Sequence, residues 1–139
     1  MTAGPHPAPS YPELDPFDLP DWLGEREVTW SSERGLTTGH RVEGALRAEG
    51  ADPLPCDLLA IDDAYPEPVA SEAVRVRAHQ VWQYGEVLLL SDSGRLVLAL
   101  PGSRLDADTA VTAIGRLARA VGAAPGSYAV LLRVDRAGR

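Results

Sequence analysis

Along residues 40–49, Val42, Gly44, Leu46 and Ala48 alternate with Arg41, Glu43, Ala45, Arg47 and Glu49. That period of two suits a strand with one buried face, because successive side chains point to opposite sides. Turn-forming residues 50–53 lead into residues 54–62, expected as its antiparallel neighbour. A shorter strand at 25–31, with Val28 and Trp30 on one face, precedes both. The period then changes. Val74, Ala78, Val81 and Trp82 fall on one side of a helix that Pro68 and Ser71 introduce and Gly85 stops. Two apolar runs, 86–90 and 95–100, flank residues 91–94, where Gly94 can supply the positive φ of a hairpin turn. A second helix is expected from Asp106, a capping carboxylate, with Ala110, Ile114, Leu117, Ala118 and Val121 on one face and Gly122 and Pro125 at its end. A last strand follows at 127–134. The expected fold class is α+β, a mostly antiparallel sheet in the order βββ-α-ββ-α-β with both helices packed on one face.

Pro5, Pro7, Pro9, Pro12, Pro16 and Pro20 crowd the first 20 residues, and proline lacks the N–H that helices and inner strands use. Residues 1–20 are therefore expected as a disordered arm, 21–134 as a single domain and 135–139 as a flexible tail. Phe17, Leu19, Trp22 and Leu23 are apolar enough to dock the end of the arm on the domain.

The central hairpin is apolar on both faces, with Leu88 and Leu90 pointing one way, Val87 and Leu89 the other, and Leu96, Val97, Leu98 and Leu100 opposite them. If both helices lie on one side, the other needs a cover. Four leucines left wet would forfeit about 6–12 kcal/mol, comparable to the stability of a whole domain. Leu88, Leu90, Leu96 and Leu98, with Trp22 beside the arm, are thus the candidate partner-binding residues, and the expected partner is another protein or a second copy in a homodimer.

Charge and composition narrow the function. The net charge of −7 opposes binding to nucleic-acid phosphates, although residues 69–139 alone carry more arginines than acids. With no lysine, Schiff-base, pyridoxal-phosphate and P-loop chemistry lack their amine. The absence of lysine and asparagine, with only Ile61 and Ile114 as isoleucines, fits a GC-rich bacterial genome such as an actinobacterium. Cys56 is the one cysteine and suits a reducing compartment, so a cytoplasmic address is expected. No export signal is expected in the first ten residues, and no run approaches the roughly 20 apolar residues of a membrane span, so no membrane partner is expected.

Candidate chemistry is sparse. Cys56, His79, Asp62 and Asp63 are the polar cast available to a small enzyme or ligand-binding domain, the alternative reading. Asp57, Asp62, Asp63 and Glu67 lack the spacing of a calcium loop and read as an acidic, solvated turn. The turn at 101–104 opens a helix, but Asp106 and Asp108 there would repel an anion and fit capping better. With no zinc, nucleophile-elbow, dinucleotide or paired-carboxylate signature, no catalytic residue, cofactor or metal site is expected.

Three strands, a helix, two strands and a helix across residues 25–121 of a small acidic chain resemble the type III secretion chaperone-like fold. The resemblance implies a dimer that holds extended client segments along a sheet edge or apolar groove, and it transfers no residue role. The expected function is a non-enzymatic protein-binding or accessory domain.

Overall fold

The computed structural model describes residues 10–33, 36, 40–62 and 68–132. After a one-turn 3-10 helix at Pro16–Asp18, the chain runs α1 (Trp22–Glu25), β1 (Val28–Ser32), β2 (Arg41–Val42), β3 (Ala45–Arg47), β4 (Leu54–Ala60), α2 (Glu72–Gln83), β5 (Leu88–Asp92), β6 (Arg95–Leu100), α3 (Ala107–Ala120) and β7 (Tyr128–Leu132). The fold is α+β, around one seven-stranded sheet ordered β5-β6-β4-β3-β1-β7, with β2 also beside β4.

The sheet is mixed. Although β1–β3, β2–β4, β3–β4 and β5–β6 are antiparallel, β4–β6 and β1–β7 are parallel. Hairpins cannot make parallel pairs; long crossovers can. Here one crossover is α2 with β5, and the other is the whole run from β2 through α3. The element order also departs from expectation through α1 and through the division of the second strand. Val42 opposite Leu58 and Ala45 opposite Pro55 keep one register, so β2 and β3 form a single line interrupted at Glu43 and Gly44.

The interruption has a steric reason. Trp30 is fully buried, and its indole N–H donates to the Cys56 carbonyl at 2.8 Å. A Cβ on Gly44 would lie 2.6 Å from that ring. Glycine is the side chain that leaves the indole its place.

The helices do not share a face, which corrects the expectation. Ala110, Ala113, Ile114 and Leu117 of α3 pack with Leu58, Leu89, Leu96 and Leu98, whereas Val74, Ala78 and Val81 of α2 pack with Leu59, Leu88, Leu90 and Val97. The register explains the division: Leu90 lies opposite Val97 and Leu89 opposite Leu98, so neighbours along each strand serve different cores. Leu88, Leu90, Leu96 and Leu98 are 2, 1, 2 and 0 % exposed within the single chain. They belong to two opposite faces, both closed, and do not form the partner surface expected of them.

Residues 10–20, expected within a disordered arm, are folded onto the domain. Ser91 N–H donates to Pro12 C=O and Leu14 N–H to Leu89 C=O, both at 2.8 Å, so residues 12–14 run antiparallel along the outer edge of β5. Leu23 is fully buried, Trp22 packs partly buried against the α3-side core, and the Tyr128 hydroxyl donates to Leu23 C=O. The first nine residues and the tail at 135–139 lie outside the described residues.

Replacing Gly44 with alanine forces its methyl into a buried indole. The expected cost is about 1–3 kcal/mol, the usual range for overpacking, read as a lower denaturation midpoint at unchanged slope.

Candidate functional site

The one charged side chain with no exposure among the described residues is Asp57, midway along β4. An ionised carboxylate there must be fully hydrogen-bonded. Arg41 donates to its Oδ2 through Nε at 3.0 Å and Nη2 at 2.8 Å, and Arg95 reaches Oδ2 at 3.0 Å and Oδ1 at 2.6 Å. Gly44 N–H donates to Oδ1 at 3.3 Å, and Arg41 also binds Asp92 at 2.7 Å. The pleat sets this up: Arg41 lies opposite Leu59, and Arg95 two residues before Val97, the partner of Asp57. Burial pushes the Asp57 carboxyl up, but hydrogen bonds from Arg95 and Arg41 and the Arg41 charge prevail and hold it below the ordinary carboxylate range. Two arginines balanced by two aspartates form a closed structural network, with little attraction left for a ligand.

Asp57 was expected in a solvated acidic turn. Its strand position was the available signal, since a carboxylate inside the apolar run 54–60 demands cationic neighbours. Of the other acids in that cluster, Asp62 is tied locally, accepting from Gly102 N–H at 2.9 Å and meeting His79 Nε2 at 3.1 Å. Asp63 and Glu67 lie outside the described residues. No group of three metal-ligating side chains occurs among the described residues.

The structure thus brings His79 to Asp62 but leaves Cys56 apart. Cys56 is fully buried in the α3-side core, while His79 stands half-exposed on α2, across the sheet. Burial, reinforced by the Asp57 charge, pushes the thiol well above its ordinary value despite Arg95. A thiolate–imidazole pair is not formed. Asp106 caps α3 as expected, accepting from Thr109 N–H at 2.8 Å.

A different place combines concavity with cationic groups. Where residues 13–16 leave β5, a cleft of about 560 Å³ opens between them and the C-terminal halves of α2 and α3. Leu14, Val81, Val87 and Leu89 supply apolar lining, with Arg77, Arg116 and Arg119 among its polar groups. Arg77 is occupied by Glu13 at 3.2 Å. Arg116 is held differently: its guanidinium lies 3.8 Å from the Trp82 ring centroid and donates to the carbonyls of Trp82 at 2.8 Å and Glu86 at 3.0 Å. Arg116 and Arg119 have no carboxylate within salt-bridge distance among the described residues. Sequence reasoning missed this pair because each is a single polar position on an amphipathic helix.

Comparison with protein-family models, curated proteins and solved structures gives no match.

Removing the Asp57 carboxylate with alanine takes a buried partner from two part-exposed arginines and is expected to cost about 1–3 kcal/mol in urea unfolding at neutral pH. Because its folded pKa is depressed, its contribution is present above the unfolded value of about 3.9 and is lost as pH falls through the folded value. Unfolding free energies measured between neutral pH and acid should therefore fall less steeply in Asp57→Asn than in the parent chain.

Proposed function

We propose that this chain is a non-enzymatic protein-binding domain that works as a homodimer, joined through the outer edge of β7. The observation that carries this reading is the contrast between the two ends of the sheet. At one end, residues 12–14 cover β5. At the other, β7 pairs with β1 and with no other strand among the described residues.

The sequence of β7, Tyr-Ala-Val-Leu-Leu, contains none of the usual defences of an edge, neither charge nor proline, and Leu131 is 63 % exposed. Such a strand is complementary to itself: paired antiparallel about a two-fold axis, two copies satisfy each other's backbone groups and cover each other's Leu131. The chaperone-like role moves in this reading from the closed leucine faces to the sheet edge. A buried lone thiol and codon-driven composition support a reducing bacterial cytoplasm as the setting.

Light scattering across a concentration series tests it. The parent chain is expected at twice the monomer mass, and Ala129→Lys with Leu131→Lys, both at exposed positions, at the monomer mass with unchanged circular dichroism. A monomeric parent at high concentration overturns the dimer, and a dimer unaffected by the double substitution overturns the β7 edge.

A further inference from the structure

The arm that covers β5 stops early. In an antiparallel ladder, Leu14 and Leu89 would exchange two hydrogen bonds, but among the described residues only Leu14 N–H to Leu89 C=O is made. At Asp15 the backbone turns away, its carboxylate accepting from Phe17 N–H at 3.0 Å to start the 3-10 helix. Leu89 N–H is left on the cleft side. Two residues earlier, Val87 immediately precedes β5. Both residues line the cleft.

Arg116 stands at the head of this uncovered edge. Its Nη1 holds Glu86 C=O, next to Val87, while its Nε is buried without a partner among the described residues. Arg119, one turn further along α3, lines the same cleft. The protein therefore places the open Leu89 N–H, an apolar lining and two guanidinium groups without carboxylate partners in one cavity, whose other charged groups are the Glu13–Arg77 pair and Glu86. Arg119 can present a planar fork of donors to a carboxylate, while Arg116, with Nη1 held by two carbonyls and Nε buried, contributes its charge and Nη2.

We propose that this cleft binds the C-terminal end of an extended peptide, with a peptide carbonyl on the Leu89 N–H beside Val87, its last apolar side chains against Leu14 and Val81, and its terminal carboxylate on Arg116 and Arg119. Strand addition supplies affinity without regard to sequence, and the carboxylate fixes which end of the peptide enters. A cleft of about 560 Å³ admits a few residues and excludes a folded domain. This deepens the protein-binding reading by naming a client chemistry, and it uses the edge of the sheet opposite the proposed dimer contact.

The test uses the full chain, isotopically labelled, titrated with acetyl-Leu-Val-Leu bearing a free carboxylate, with the same peptide as its C-terminal amide, and with hexanoate. The free acid is expected to shift the Val87 and Leu89 amide resonances saturably and to bind about tenfold or more tightly than the amide, since a charge-assisted contact is lost. Arg119→Gln, at an exposed position, is expected to weaken the acid and leave the amide unchanged. Equal binding of acid and amide, or no shift with either, overturns the proposal. Hexanoate binding as tightly as the peptide overturns the strand-pairing part. These outcomes are independent of the dimer test, because Ala129→Lys with Leu131→Lys leaves the cleft intact.

Discussion

A strand that is apolar on both sides must be covered twice, and β4, β5 and β6 impose that condition here. α2 closes one face and α3 the other, so each helix is committed to its own half of the core. The commitment leaves the β3-β1-β7 half of the sheet with a single cover. Val28, Trp30 and Leu46 pack on the α3 side, while Thr29, Ala45, Arg47 and Ala129 are partly or fully exposed on the other. A sheet closed twice at one end and once at the other has its accessible edge at the thinner end.

Gly44 joins the polar and apolar halves of this arrangement. Its missing side chain admits Trp30, its N–H reaches Asp57, and its carbonyl accepts from Cys56 N–H at 2.9 Å and from Arg95 at 3.4 Å. The buried carboxylate and buried indole thus fix the same backbone unit from opposite faces. Removing the carboxylate leaves two part-exposed arginines that water can reach on one side only, and Arg41 keeps Asp92.

Periodicity of 3.6 or 2 made α2, α3 and the strand through β2 and β3 legible in the sequence, and two apolar runs around the Gly94 turn did the same for the β5–β6 hairpin. It could not assign helices to faces. Leu88 through Leu90 announce that both sides are apolar, and nothing local says which helix crosses where. The docked arm was hidden by its prolines, yet Pro12 contributes only its carbonyl to β5 and so loses nothing by lacking an N–H. The cleft was hidden for another reason. Arg116 matters through Trp82 and Glu86, residues brought to it by tertiary packing.

The pairing of β1 with β7 brings Val28 against Tyr128, a hundred positions later in the chain. During synthesis β1 leaves the ribosome early and waits, its outer side unmatched, until β7 has emerged. The sheet is therefore completed only once β7 is made, and a closure of such long sequence separation is of the kind that folds slowly compared with the local helices. Until then the nascent chain carries an open β1 flank, the interval in which a cell's folding helpers would have most to do.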